Sequence, residues 1–241
     1  MGLADDIRSA VTTVAGADWN IRKGNVVPTT ESITLKNGAV ELDAVYLYAD
    51  MADSTGLARD FPKTTAAKVI RCYLDATCRV IKAKGGEIRS FDGDRVMAIF
   101  IGSNKNTAAA ECGLMINHAV SQIVRPVVEA KLPSLVTKGW ELKHCVGVAS
   151  GTALVVRGGV RGDDDSDLVS VGRAPNVAAK LSDVREGPYR SYVTAEVFDS
   201  LNEKVKYSRG DEPKLMWNGP VKHQVGGEML SVYRSTWWRQ P

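Results

Sequence analysis

Two aspartates stand at the ends of apolar strands, and their positions suggest metal chemistry. Asp50 follows the apolar, β-prone residues 44–49, and Asp94 opens the second strand of a predicted hairpin. A carboxylate beside a buried sheet is costly unless it is solvated or paired, and two carboxylates brought together need a cation between them. Oxygen ligands alone suit Mg²⁺ or Mn²⁺, which complete their shells with phosphates and water. We therefore predict a divalent-metal site at Asp50 and Asp94.

Other polar residues that could bind a metal receive structural interpretations. Asp53 and Asp92 stand beside turn residues and are expected to be turn aspartates or helix N-caps. Three histidines are isolated and are interpreted as non-catalytic: His118, His144 and His223. Four cysteines lack the CxxC spacing of a zinc site and are interpreted as reduced packing residues: Cys72, Cys78, Cys112 and Cys145.

The elements that must position the aspartates follow helix and strand patterns in turn. Helical spacing covers residues 3–14, 64–84, 107–130 and 177–184, with a break expected near Pro126. Strand patterns cover residues 44–49, 87–91, 94–100, 141–156, 192–194 and 205–208, with an interruption expected at Gly151. Asp92-Gly93 predicts a hairpin, and Gly226-Gly227 marks a second, terminal hairpin. The order predicts an α+β, ferredoxin-like fold with a mostly antiparallel sheet and flanking helices.

Composition and charge exclude several classes of protein. The chain has 241 residues and a formal net charge of +3, which argues for no nucleic-acid or membrane partner. Its apolar segments are too short to span a membrane, and its first residues lack the pattern of a signal peptide, so we expect a cytoplasmic protein. Residues 1–40, with an irregular segment at 19–34, are predicted to form an arm with a short helix, and residues 41–241 one large domain.

Four segments together resemble the motifs of a known family. Residues 48–55 (Tyr-Ala-Asp-Met-Ala-Asp-Ser-Thr) and 85–98, which contain Gly93-Asp94, resemble the two metal motifs of class III nucleotidyl cyclases. Residues 146–151 resemble the strand-and-glycine segment that follows, and residues 171–181 resemble the family's Gly-x-x-x-Asn-x-Ala-x-Arg helix. Each motif alone is weak, but four in the family's order make a specific resemblance, which assigns residues 41–241 as the catalytic domain.

The resemblance implies an activity and a set of site residues. It implies closure of a nucleoside triphosphate to a 3′,5′-cyclic nucleotide with two Mn²⁺ or Mg²⁺ ions, held by Asp50, Asp94 and the backbone carbonyl of Met51. It also implies a head-to-tail homodimer in which Asn176 of the partner chain orients the ribose or phosphate. The family's transition-state arginine is replaced by Lys180, and Arg173 is an alternative source of a guanidinium, although its position favours an ordinary surface arginine.

Departures from the family pattern point to the substrate. Ser90 and Val169 stand where purine cyclases carry base-reading residues, so a purine-reading pair is absent. These departures, the compact architecture and the arm at residues 19–28 resemble the bacterial pyrimidine cyclases of anti-phage signalling, whose product activates a separate effector. Tyr48 and Phe91 are candidate walls for the smaller base, with a core position as the alternative for both. Lys222 is a candidate phosphate ligand, or equally a solvated lysine.

The choice between the two pyrimidines depends on hydrogen-bond donors near the hairpin. The Ser90 hydroxyl can serve either base because it both donates and accepts. Arg89 or Arg95 could donate to O4 of uracil but would oppose the amino group of cytosine, so UTP is the expected substrate and CTP the alternative. Two further hypotheses stay open: a purine cyclase that reads its base through other residues, and an inactive cyclase-like module that binds nucleotide.

Overall fold

The computed structural model describes residues 2–159 and 166–241, which cluster into two compact units. The smaller unit comprises Met1–Asp43 and Thr152–Arg173, and the larger comprises Ala44–Gly151 and Ala174–Pro241. The strands β2 and β5, defined below, contribute residues to both units. The boundary at residue 40 between an arm and a catalytic domain stays a prediction.

The helices and strands are bounded as follows. The helices are α1 (Leu3–Ala15), α2 (Ser54–Asp60), α3 (Lys63–Ala83), α4 (Lys105–His118), α5 (Arg125–Lys131), α6 (Ser134–Thr137), α7 (Arg173–Ser182), α8 (Ala195–Asp199) and α9 (Glu203–Lys206). The strands are β1 (Asn20–Gly24), β2 (Gly38–Met51), β3 (Glu87–Asp92), β4 (Arg95–Phe100), β5 (His144–Gly159), β6 (Ser166–Val171), β7 (Ser191–Thr194), β8 (Asn218–Val225) and β9 (Glu228–Ser235). A 3₁₀ turn covers Thr30–Ser32, and a π-helical segment covers Ala119–Val124.

The larger unit is built on a sheet in the order β3-β4-β2-β5-β7-β9-β8. The pairs β2–β4, β3–β4, β7–β9 and β8–β9 are antiparallel, and β5 pairs with β7 in parallel. Both predicted hairpins are present, with turns at Gly93 and at Gly226-Gly227, where the glycines adopt positive φ. The mostly antiparallel α+β sheet with flanking helices is therefore confirmed.

The core of the larger unit lies between the sheet and helices α3 and α4. Along α3 the residues Val69, Tyr73, Thr77 and Val80 are buried and recur at spacings of three and four, which places them on one helical face. Val69, Tyr73 and Val80 join the buried strand residues of β2, β4 and β5 in one apolar cluster. The expected break near Pro126 is present, because π-helical turns end there and α5 starts with Arg125.

The smaller unit contains pairings that the sequence pattern did not predict. Residues 19–34, predicted to be irregular, contain β1, which pairs in parallel with Gly38–Leu42 of β2. Residues 20–24 carry no periodic apolar pattern of their own, so only their pairing with β2 defines this strand. In the same unit β6 pairs antiparallel with Leu154–Gly159 of β5, while α1 has no buried residue.

Two predictions about strands were wrong. Strand β5 is not interrupted at Gly151; a Cβ at this glycine would lie 3.2 Å from the Cβ of Ala174, so the glycine marks a close approach within a continuous strand. Residues 205–208 are not a strand, because Val205 and Lys206 belong to the short helix α9 and Tyr207 forms an isolated bridge to Leu215. Helix α2, directly after Asp53, was not predicted. Within the described ranges, no helix is long and apolar enough to cross a membrane.

Buried His144 should make stability depend on pH. Its side chain is 3% exposed, its Nε2 has no hydrogen-bond partner among the described residues, and desolvation lowers its pKa to about 3. The pKa of an unfolded histidine is about 6.5, so between about pH 6.5 and 3 the unfolded chain binds a proton at this residue and the folded chain does not. The free energy of unfolding therefore decreases by about 1.4 kcal/mol for each unit by which the pH is lowered in this range.

Urea denaturation at pH 7 and pH 5 measures this effect. The wild type should lose about 2 kcal/mol more than His144→Leu over this interval, whatever the stability of the variant at pH 7. His223→Gln serves as the matched control, because it removes a partly exposed histidine and leaves the buried one in place. Equal losses in the wild type and His144→Leu would contradict the assignment.

Candidate functional site

One face of the sheet near the β3–β4 hairpin gathers the polar residues. Cross-strand neighbours are Tyr48, Met97 and Ser90 in one row, and Asp50, Arg95 and Asp92 in the next. Successive side chains of a strand point to opposite faces, so these two rows share a face. The structure therefore brings together Tyr48, Ser90 and Asp50, three of the predicted site residues.

The carboxylate of Asp50 is held by two guanidinium groups. Its side chain is 10% exposed; Oδ1 accepts from Arg95 Nε at 3.2 Å and Oδ2 from Arg185 Nη2 at 2.5 Å. Arg95 also donates through Nη2 to Asp183, and Arg185 Nη2 lies 3.5 Å from the carbonyl oxygen of Met51. A carboxylate this buried is stable only when paired, and here both of its oxygens are paired.

Asp94 lies close to this network but differs from Asp50 in its surroundings. It occupies the turn before β4, one residue before the strand begins, and its Oδ2 is buried with no hydrogen-bond partner among the described residues. Desolvation and the negative charge of Asp50 raise its pKa, against an opposing hydrogen bond from Ser54. A buried carboxylate oxygen without a partner is the kind of atom that a cation would satisfy.

The donor set at this site fits a hard divalent ion such as Mg²⁺ or Mn²⁺ better than a softer ion such as Zn²⁺. Within the described ranges, no group of three or more His, Cys, Asp or Glu side chains could hold a metal by itself. Two carboxylates and the Met51 carbonyl are oxygen ligands, and Mg²⁺ or Mn²⁺ at such sites takes its remaining ligands from substrate phosphates and water. The residues present therefore fit the metal predicted from the sequence.

Helix α7 is held very close to β5 and carries two of the other candidates. A Cβ at Gly147 would lie 2.2 Å from the carbonyl oxygen of Ala178, so only glycine allows the helix to pass over the strand at this point. Asn176 and Lys180 are exposed and four residues apart, hence on one side of α7. The Lys180 side chain lies against the β8–β9 turn, since a Cβ at Gly226 would be 3.3 Å from its Nζ.

The structure places the remaining candidates elsewhere. Phe91 pairs with Val96 and so lies on the face opposite Tyr48 and Ser90, where it lines a groove with α3 residues such as Leu74. Lys222 on β8 donates to the Ser231 hydroxyl at 3.0 Å. Val169, on β6, and Arg173 belong to the smaller unit, and Val169 is 49% exposed.

Arg185 and Asp183 were missed in the sequence analysis. Both follow α7 in an irregular, exposed segment, where a charged residue ordinarily indicates only a solvated loop. The sequence feature that could have identified them is their position directly after α7, the helix of Asn176, which the resemblance already assigned to the site.

The fold and the site define the class of protein. No family model matches the chain. Among solved structures it is similar to a bacterial light-regulated adenylyl cyclase, with a TM-score of 0.68 and 26% identity over 85% of this chain and 55% of that chain. It also shares its fold with the adenylyl cyclase CyaB from P. aeruginosa, at a TM-score of 0.63 and 18% identity over 83% of this chain and 97% of that chain. The chain is a nucleotidyl cyclase with the class III fold.

Curated relatives narrow the family. The chain is 44% identical over 241 residues to the uridylate cyclase of Rhodovulum sp. (strain MB263), covering 100% of this chain and 99% of the relative. It is 37% identical over 241 residues to the uridylate cyclase of Xanthomonas perforans, covering 99% of both, and 36% identical over 239 residues to that of Burkholderia cepacia, covering 98% of both. The chain belongs to the uridylate cyclase family.

Replacing each aspartate by asparagine should have opposite effects on stability. Asp50→Asn leaves two guanidinium groups without their carboxylate and should lower the free energy of unfolding by about 1–3 kcal/mol. Asp94→Asn should leave stability unchanged or raise it, because the raised pKa of Asp94 means that folding favours its neutral form. Urea denaturation in EDTA at neutral pH measures both, with exposed Asp92→Asn as the control. A loss at Asp94 as large as that at Asp50 would refute the contrast.

Proposed function

We propose that the protein converts UTP to 3′,5′-cyclic UMP and pyrophosphate. The ribose 3′-oxygen attacks the α-phosphorus, the bond to the β-phosphate oxygen breaks, and the hydroxyl proton passes to solvent. The observation that carries the proposal is full-length similarity to a uridylate cyclase, at 44% identity, in a chain where Asp50 lies at the end of β2 and Asp94 directly precedes the neighbouring strand β4. Within this protein the aspartates supply the negative charge that would attract the divalent ions, and the ions would in turn attract the phosphates.

The proposed metal ligands are Asp50, Asp94 and the carbonyl oxygen of Met51. Two divalent ions, Mn²⁺ or Mg²⁺, would lower the pKa of the ribose hydroxyl and neutralise charge on the departing pyrophosphate. The protein's own part is to hold one carboxylate rigidly, through Arg95 and Arg185, and to keep a second one unpaired at Asp94 Oδ2 among the described residues. Positioning of the reacting groups and electrostatic stabilisation account for most of the catalysis of phosphoryl transfer.

Base selection is assigned to the open face of the sheet beside the aspartates. Tyr48, next to Asp50 on β2, narrows the space for a purine, and the exposed Ser90 hydroxyl can donate to a base carbonyl. Arg95 is held in place, since Nε and Nη2 already donate to Asp50 and Asp183. Its remaining nitrogen, Nη1, is the group of this arginine that we assign to O4 of uracil. Phe91, on the opposite face, has no role in this assignment.

The complete site is proposed to form between two copies of the chain. Asn176 and Lys180 lie on an exposed side of α7 and are available to a partner's nucleotide. We assign the ribose or phosphate contact to Asn176 and a transition-state charge to Lys180. Arg173 is the alternative source of that charge. The cyclic nucleotide would then act on a separate effector in anti-phage defence, and the cytoplasm, where UTP is made and used, is the proposed location.

Product analysis tests the substrate. An equimolar mixture of the four nucleoside triphosphates with Mn²⁺ should yield cyclic UMP as the main product, resolved by chromatography. Asp94→Asn should lose about 10³-fold or more in rate, since its fold is preserved while a metal ligand is removed. Dominant cyclic AMP or GMP would overturn the pyrimidine assignment, dominant cyclic CMP would overturn the O4 contact, and release of no pyrophosphate would indicate a binding module.

Complementation tests the shared site. Asp94→Asn and Asn176→Ala chains should each be inactive as homodimers, yet mixed heterodimers should recover one competent site, giving about half of the wild-type rate per heterodimer. Proven subunit exchange, for example by mass spectrometry of differently tagged chains, is the necessary control. A mixture that exchanges subunits and stays inactive would mean that each chain builds its own site.

A further inference from the structure

A guanidinium nitrogen already sits between two of the proposed metal ligands. Arg185 Nη2 lies 2.5 Å from Asp50 Oδ2 and 3.5 Å from the carbonyl oxygen of Met51. Both atoms are oxygens that the proposed function gives to a divalent ion. In the metal-free protein the positive charge between them is therefore supplied by the chain itself.

The two arginines at Asp50 are not equivalent. Arg95 belongs to strand β4, is 24% exposed and is tied to a second carboxylate, Asp183. Arg185 is 38% exposed and stands in the irregular segment behind α7. Its Nη1 donates to backbone carbonyls of its own turn, those of Ser182 at 2.6 Å and Val184 at 3.1 Å. Rotation of one exposed side chain thus releases Arg185, whereas Arg95 is fixed by its strand and its second partner.

We propose that Arg185 is the resident counter-cation of the metal site and leaves Asp50 when a divalent ion binds. The inference rests on the proposed function, because it takes Asp50 and Met51 as metal ligands. Metal loading becomes an exchange of one cation for another, and Arg185 acts as a positioning residue that holds the Asp50 carboxylate in place beforehand. The apparent metal affinity is reduced by the fraction of molecules in which the pair is closed.

Titration with Mn²⁺ alone, followed by the electron paramagnetic resonance signal of the free ion, tests the exchange without any turnover. Arg185→Gln should bind Mn²⁺ about 10-fold more tightly than the wild type, the value for a pair that is closed about 90% of the time. Arg190→Gln is the matched control: it removes the same charge from the same segment, but Arg190 donates to the backbone carbonyls of Gly187 and Tyr189. Its affinity should stay within about 3-fold of the wild type.

Asp94→Asn separates the two hypotheses. If it abolishes Mn²⁺ binding while Arg185→Gln binds no more tightly than the wild type, the exchange is refuted and the proposed metal site stands. If neither the wild type nor Arg185→Gln shows Mn²⁺ binding that Asp94→Asn removes, both the exchange and the proposed metal site are refuted. An equal gain in Arg185→Gln and Arg190→Gln would reduce the effect to long-range charge and also refute the exchange.

Thermal unfolding gives a second measurement. In EDTA, Arg185→Gln should melt below the wild type because Asp50 loses one partner, and saturating Mn²⁺ should raise its melting temperature by more than it raises that of the wild type. If Arg185→Gln fails to fold, Arg185→Lys keeps the charge but cannot form the planar contact, and should bind Mn²⁺ about 3-fold more tightly than the wild type. A smaller Mn²⁺ effect in these variants than in the wild type would contradict the exchange.

Discussion

The burial of one carboxylate, that of Asp50, organises much of the larger unit. A charge with so little exposure at the end of a central strand must have cationic partners, and both of its oxygens have one. Arg95 comes from the neighbouring strand and Arg185 from the segment behind α7, so the hairpin and the helix are joined to β2 through a single side chain. Asp183, in the same segment as Arg185, also binds Arg95, so this segment contacts the residue of β4 that pairs with Asp50. The polar connection thus runs across elements that are far apart in the sequence.

Packing and polarity are divided between the two faces of the sheet. The face that carries Phe91 and Val96 looks toward α3, and the face that carries Tyr48, Ser90 and Asp50 is where the chemistry is assigned. Helix α7 reaches the strands because Gly147 has no side chain, and this approach fixes where Asn176 and Lys180 are presented.

Apolar spacing and turn residues predicted the helices, strands and turns that form from neighbouring residues in the sequence. The strand before Asp50, the Asp92-Gly93 hairpin, the long helix α3 and the break near Pro126 all follow from apolar spacing or turn chemistry, and the structure contains them. Strand β1 escaped prediction because it is defined by a distant partner, and α9 was mistaken for a strand because Val205 is β-branched. Arg185 escaped for a related reason: its importance lies in a contact across 135 residues of chain. Asp50 and Asp94 could be proposed from the sequence because a carboxylate beside a buried sheet is costly unless it is solvated or paired, and their role as metal ligands stays a prediction.

The irregularity in β3 has a bearing on how this hairpin tolerates changes of length. Between Ile88, which packs on the core, and Ser90, which faces the other side, Arg89 is an extra residue without a counterpart on β4. A related protein could lose Arg89 and still keep the residues at the tip of the hairpin on their present faces of the sheet. Loss of Phe91, between Ser90 and Asp92, would instead place Arg89 opposite Met97 in the position of Ser90, and would move the Ser90 hydroxyl to the face of the sheet that now carries Phe91. Insertions and deletions among relatives should therefore be tolerated at the bulge and eliminated two residues further on.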